Sequence, residues 1–300
     1  MENNETVSTV DIGPVKKWLL GARPRTLPAA IAPVLVGTSL IRVHSGAIHW
    51  INALLALAVS LLLQIAVNYA NDYSDGVRGT DEVRVGPIRL VASGVASARA
   101  VKNAALFTFG LAAVCGAVLA ARTSWWMIVV GAVAIVAAWT YTGTAKPYGY
   151  MGFGELSVFI FFGVVATMGS YFAQSQKLTA SALLVSIPMG ALSCAILSIN
   201  NLRDRPKDEL VGKHTLAVRL GDKKARYMFV ALVGLAHLAS LLAAFITPWT
   251  LLTLALLPLS TDIVRAVIGG AAGRDLIPLL GKTGRLQMFF ALVLAIAFCA

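Results

Sequence analysis

About nine stretches of this chain run for roughly twenty residues with almost no charge, the length a helix needs to cross lipid. They lie at roughly 26–42, 50–70, 103–121, 125–142, 154–173, 180–200, 227–246, 250–268 and 286–300. Apolar residues fall in continuous runs rather than at a strand or amphipathic-helix period, so the solvent they match is a bilayer. Composition agrees: 58% of the 300 residues are hydrophobic and 13% charged, against about 25% charged in a soluble domain. Backbone polar groups inside lipid must be satisfied within their own segment, which selects helices over isolated strands. The expected fold is therefore an all-α integral membrane protein of about nine transmembrane helices.

The net charge of +11 would suit nucleic acid if it were spread over one face, but its distribution says otherwise. With the N-terminus taken as inside, all but Arg42, Arg122 and Lys177 of the 25 Lys and Arg fall in the tail, the inside loops or the adjoining span ends. That is the positive-inside pattern, so the charge reports orientation and not a nucleic-acid partner. Residues 1–20 are expected to be a cytoplasmic tail, without the pattern of a secretory signal peptide. Residues 21–300 are expected to form one transmembrane domain with inside loops at 71–102, 143–153 and 201–226. The three cysteines, Cys115, Cys194 and Cys299, stand singly in apolar spans without metal-ligand spacing and read as small core residues. Pro24, Pro28 and Pro33 predict a kinked or late-starting first span.

All 14 acidic residues lie in the tail or on the inside half. Two clusters stand out, "NYANDYSDGVRGTD" from Asn68 and "NNLRDRPKDELVGK" from Asn200, each closing an apolar run. Asn68, Asp72 and Asp75 fall at i, i+4 and i+7 of a helix, and Asn200 and Asp204 at i, i+4. Asp208 extends the second row if the helix persists through Pro206, which is expected to disturb it. Asn71-Asp72-x-x-Asp75 and Asn200-Asn201-x-x-Asp204 also hint at an internal repeat. A carboxylate near mid-membrane costs on the order of 3 kcal/mol, so these groups must be wet, paired or metal-bound. Hard oxygen donors of this kind suit Mg²⁺ shared with a diphosphate. Arg78, Arg84, Arg89, Lys146, Arg203 and Lys207 stand close enough in sequence to meet its remaining charge. The residue-level reading is a metal–diphosphate site at the cytoplasmic mouth of a helical bundle, with an apolar interior for a lipid tail. Gln64, Asn68 and Tyr141 are candidate polar contacts for a second substrate in that cavity. An ion-coupled transporter is the alternative from another class, although acids confined to one side speak against a path open from both.

At these residues the chain resembles the UbiA superfamily of intramembrane aromatic prenyltransferases, which pair an N-D-x-x-D-x-x-x-D motif with a later D-x-x-x-D motif. Here they stand as Asn71-Asp72-Tyr73-Ser74-Asp75, with a third acid displaced to Asp81, and Asp204-Arg205-Pro206-Lys207-Asp208. Within that superfamily, "NDYSDGVRGTD", "GPIRLVASG", "KPYGYMGFGE" and "GKHTLAVRLG" are similar to MenA-type 1,4-dihydroxy-2-naphthoate prenyltransferases. The resemblance implies transfer of a polyprenyl chain from its diphosphate to the naphthoate ring, with Mg²⁺ as cofactor. It places Asn68, Asp72, Asp75, Asp204 and Asp208 at the metal and diphosphate; Lys146 and Arg78 are the basic residues expected to contact the diphosphate. A different aromatic acceptor is the alternative within that superfamily.

Overall fold

The computed structural model describes residues 13–44, 46–79 and 88–300, and among these all regular secondary structure is helical. Seven of the described helices are long and apolar enough to cross a membrane: Trp50–Val77, Ala98–Arg122, Gly154–Ser175, Ala180–Leu210, Leu216–Phe245, Pro248–Ile268 and Gly273–Cys299. A pair bent by 56°, Pro14–Thr26 with Pro28–His44, brings the number to eight if it counts as one span. The remaining expected span is the shorter apolar helix Trp126–Thr140. At 1.5 Å per residue its 15 residues reach about 22 Å, short of a hydrocarbon core of roughly 30 Å. The expected count of nine is therefore not reached by helices of full crossing length among the described residues.

The helices are α1 (Pro14–Ala22), α2 (Pro28–Ser39), α3 (Trp50–Val77), α4 (Ala98–Arg122), α5 (Trp126–Thr140), α6 (Gly154–Val158), α7 (Ala166–Ser175), α8 (Ala180–Leu210), α9 (Leu216–Leu242), α10 (Leu257–Ile268) and α11 (Leu276–Cys299). The prolines of the first span act as expected. Pro24 opens a short 3₁₀ turn and Pro28 starts α2, so the chain bends between them. Helix starts earlier than the expected boundary of the tail, at Pro14, because Trp18 packs edge-on against Tyr69 of α3 and anchors α1 there.

Two other boundaries move inward on the loops. α3 continues to Val77 and ends before Gly79, whose φ of 70° only glycine adopts freely. α8 runs through Pro206 to Leu210, so the expected disturbance does not end the helix. The turn beyond it is completed by the Val211 amide on the Lys207 carbonyl at 3.0 Å. The connection expected at 201–226 accordingly shrinks to residues 211–215, the one expected at 71–102 begins only after α3, and Asn71, Asp72, Asp75, Asp204 and Asp208 all lie on helix.

One core joins α2, α8, α9 and α11 around Leu192, Phe229 and Phe290; a second joins α1, α3 and α4 around Ala66, Ala70 and Phe109. α8 is the central helix, with 78% of its apolar window buried by protein. It approaches its neighbours through small residues, as membrane helices do: a Cβ on Gly163 would collide with the backbone of Gly190. Gly163 sits in a π-helical turn, Phe159–Val165, that joins α6 to α7. That wider turn brings Phe161, Phe162 and Val165 to the wall of the central cavity.

Gly163→Leu is expected to force α8 and the π turn apart and to lower the thermal midpoint in detergent, at a cost of about 1–3 kcal/mol or more. Gly234→Ala, at a position of α9 where a Cβ meets nothing within 4 Å, should leave the midpoint unchanged or raise it.

Candidate active site

A cavity of about 330 Å³ lies between the two cores, walled by α2, α3, α4, α5, the α6–α7 span and α8. Most of its wall is apolar, including Val59, Leu119, Val130, Ala134 and Phe162, and one end collects the charged groups.

α3 contributes Gln64, Asn68, Asn71 and Asp75 to the lining. Asn68 donates from Nδ2 to the Ala22 carbonyl at 2.9 Å, and Gln64 donates from Nε2 to Thr26 Oγ1 at 3.1 Å. Both amides therefore brace α3 against the α1–α2 bend while facing the cavity. Asn71 accepts from the Thr142 hydroxyl at 2.6 Å. Asp72 stands about 60° round the helix from Asp75 and does not line the cavity. Its carboxylate accepts from the backbone amides of Leu90 at 2.9 Å and Val91 at 3.1 Å. The expected row of Asn68, Asp72 and Asp75 is thus divided between two surroundings.

α8 contributes Asn200, Asn201, Asp204, Lys207 and Asp208. Arg203 lies behind them, off the lining. It grips Asp204 with two bonds of 2.7 and 2.8 Å and reaches Asn200 Oδ1 at 2.7 Å. Expected as a diphosphate contact, it instead orients two cavity groups, because its guanidinium fork matches the neighbouring carboxylate. Lys207 does face the cavity, and its Nζ is buried with no hydrogen-bond partner among the described residues.

The two expected contacts outside these helices are not in the cavity. Lys146 is exposed and off the lining. Arg78 is also exposed; it donates to the Thr142 carbonyl at 2.6 Å and to that of Thr144, pinning the turn after α5 to the end of α3. Each lies beyond the helix end that would aim it inward. Tyr141 does line the cavity, packed edge-on against Tyr148 at 5.5 Å. Asp81 lies outside the described residues, as do Arg84, Gly86 and Pro87.

The cations that do line the cavity include Arg23, Arg89 and Lys213. Arg23 follows α1 in a left-handed conformation, φ 53°. Arg89 Nη2 is 3.7 Å from Asp75, and Lys213 Nζ is 3.1 Å from the same carboxylate. The Tyr150 hydroxyl also donates to Asp75, and the Lys213 ammonium stands 4.4 Å from the Tyr150 ring centre. Lys213 arrives here through a helix terminus of Schellman type. Gly212 takes φ 73°, the Lys213 amide bonds back to the Asp208 carbonyl at 2.8 Å, and the Gly212 amide to that of Glu209 at 3.3 Å. Burial works to lower the Lys213 pKa, but the Asp75 carboxylate, Tyr150 and Asp208 outweigh it and hold the ammonium above its ordinary value. Burial first, and then the Asp75 charge, raises the Tyr150 phenol. A glycine two residues past the last helical position, followed by lysine, was the signal in the sequence that marks Lys213.

The donor set suits Mg²⁺. Asp75, Asp204 and Asp208 present hard oxygens to one cavity, with amide oxygens on the same wall. Among the described residues no three His, Cys, Asp or Glu are grouped so that they could hold a metal ion by themselves. An Mg²⁺ held here would therefore take one or two of these carboxylates and complete its shell with water and substrate phosphates.

A membrane cavity with acids and cations at one end and an apolar chamber beyond is the architecture of an enzyme acting on lipid diphosphates. Residues 30–269 match the model of the UbiA prenyltransferase family, and the chain belongs to that family. It is 48% identical over 279 residues to the 1,4-dihydroxy-2-naphthoate octaprenyltransferase of Mycobacterium tuberculosis, covering 93% of this chain and 95% of the relative. It is 45% identical to the protein of the same name from Mycobacterium leprae, with the same coverage of each. A solved structure of a UbiA homolog from Archaeoglobus fulgidus bound to DMAPP and Mg²⁺ shares the fold, with a TM-score of 0.67 over 94% of this chain and 99% of that one at 15% identity.

Lys213→Met should lower the thermal midpoint by leaving a buried carboxylate short of charge. Adding Asp75→Asn to the same chain should restore part of the loss, with a coupling on the order of 1–3 kcal/mol in a double-mutant cycle.

Proposed function

We propose that this protein transfers a polyprenyl chain from its diphosphate to 1,4-dihydroxy-2-naphthoate, releasing diphosphate and CO₂ and giving demethylmenaquinone in its hydroquinone form, demethylmenaquinol. The single observation that carries the reading is the cavity itself, in which Asp75, Asp204, Asp208, Lys207, Lys213 and Arg89 face an apolar chamber fit for an isoprenoid. The naphthoate as acceptor rests on the relatives, named for that substrate at 45–48% identity over 93% of this chain.

One or two of Asp75, Asp204 and Asp208, with water and the substrate's own phosphates, would hold Mg²⁺, which when bound neutralises negative charge on the diphosphate. Lys207, Lys213 and Arg89 donate hydrogen bonds to its oxygens, and their charge is worth most as the allylic carbon–oxygen bond breaks and the leaving group gains charge. Tyr141 and Tyr148 line the same cavity, where a π face would stabilise an allylic cation and an acceptor ring could stack. The apolar wall excludes water, which would otherwise capture the cation. The electron-rich ring carbon then attacks, held close by the same enclosure. The positive-inside charge supports a mouth that opens on the cytoplasmic face of the cell membrane.

The purified protein, given farnesyl or geranylgeranyl diphosphate and Mg²⁺, should prenylate dihydroxynaphthoate with release of diphosphate and CO₂, read by product mass. Preference for 4-hydroxybenzoate or homogentisate would move it to another acceptor, and no transfer to any ring would reject the reading. Asp208→Asn should cut turnover at least ten-fold, about 1.4 kcal/mol in the barrier, and chelation of the metal should abolish it.

A further inference from the structure

Asp72 is the acid of the first motif that the cavity does not use. Its residue is only 1% exposed, and both carboxylate oxygens are taken, one by the Leu90 amide and one by the Val91 amide. A carboxyl group buried this deeply needs hydrogen-bond partners for its oxygens, and the two backbone N–H groups supply them. To reach a metal in the cavity it would have to strand two buried N–H groups.

The surroundings are built for the segment it holds. Leu90 is fully buried in the core formed with Ala66, Tyr69, Ala70 and Val101. A Cβ on Gly21 would come within 2.6 Å of Leu90 Cδ1, and a Cβ on Gly76 within 2.5 Å of Val91 Cβ. Two glycines on separate helices thus make room for adjacent residues of one short segment. The segment closes on itself through the Ala96 amide on the Leu90 carbonyl at 2.9 Å and the Ser93 amide on that of Arg89 at 2.9 Å.

We infer that Asp72 is a positioning residue: it clamps Leu90 and Val91 to α3 so that Arg89, the next residue back, is held at the cavity beside Asp75. Arg89 cannot shift its backbone without loosening the Leu90 amide from Asp72. The metal-side oxygens are then those of Asp75, Asp204 and Asp208, and the first motif divides its labour, with Asp75 facing the substrate and Asp72 the fold. This role replaces the metal contact that the motif resemblance implies for Asp72. Its functional half rests on the prenyl-transfer reading; its structural half stands without it.

Hydrogen exchange on the metal-free, substrate-free protein reads the clamp directly. In Asp72→Asn, one amide loses its acceptor and faces an NH₂ group instead, so exchange at Leu90 and Val91 should accelerate at least ten-fold. In the transfer assay the same variant should raise KM for the prenyl diphosphate at least five-fold, with the Mg²⁺ concentration for half-activity within two-fold of the parent. Arg89→Ala should show the same KM change, and the double variant should add less than two-fold to it. Unchanged exchange at the two amides, or a ten-fold rise in the Mg²⁺ requirement of Asp72→Asn, would overturn the inference. If Asp72→Asn does not fold, Gly76→Val displaces Val91 from one turn further along the same face of α3: a KM rise matching Arg89→Ala supports the clamp, and an unchanged KM rejects it. If the parent transfers to no acceptor, the prenyl-transfer reading fails, and the exchange result alone decides the clamp.

Discussion

One buried carboxylate, Asp75, ties together the parts of this protein that contain its chemistry. It receives Lys213 from the α8–α9 turn, Arg89 from the segment before α4, and the Tyr150 hydroxyl from the turn after α5. In an apolar surrounding, a lone carboxylate would neutralise or swell the site with water. Here the compensating groups come from three connections remote in sequence, so the charge cannot be satisfied unless α3, the Tyr148–Met151 turn and the end of α8 are assembled. The electrostatic requirement and the tertiary fold are the same requirement.

That arrangement explains why so many groups at the mouth act on one another. Arg203 fixes Asp204 and Asn200, Asn68 and Gln64 fix the α1–α2 bend, and Arg78 fixes the turn carrying Thr142. Side chains held by a second layer of partners need little rearrangement when a substrate arrives, which is how a preorganised site differs from a wet vestibule. Glu155 belongs to this layer too, accepting from Asn201 at 2.9 Å while Asn201 faces the cavity.

The sequence displayed the spans because long apolar runs have one physical solution in lipid, and it displayed Asp75, Asp204 and Asp208 because charges at the ends of such runs demand an explanation. It displayed less where a residue's direction depends on a helix end. Pro206 argued for a break, yet α8 continues and carries Asp208 into the cavity. Lys146 is a basic neighbour of the acidic motifs in sequence and is expected at the diphosphate, but it follows a turn that leaves it exposed. Lys213 lay unremarked at the close of the second acidic stretch, and only the Gly212 terminus reverses it onto Asp75. Asp72 shows the limit of face counting: about 60° of rotation separates a cavity group from one locked to a neighbouring backbone.

The charges on the cavity wall also decide what kind of ligand belongs there. Asp75, Asp204 and Asp208 face it, and so do Arg23, Arg89, Lys207 and Lys213. A pathway that conducts cations would gather acids with few opposing charges, since its cargo supplies the balance. This wall carries cations at least equal in number to its acids, and it keeps one of them, Lys207, without a hydrogen-bond partner among the described residues. A buried ammonium with no acceptor is costly unless an anion arrives to meet it. An anion with a greasy tail satisfies both ends of the cavity at once, the charged mouth and the apolar chamber beyond. A carboxylate set for a divalent ion and a cation set for a polyanion therefore answer one ligand, a metal-bound lipid diphosphate, and neither set is explained as well by a smaller one.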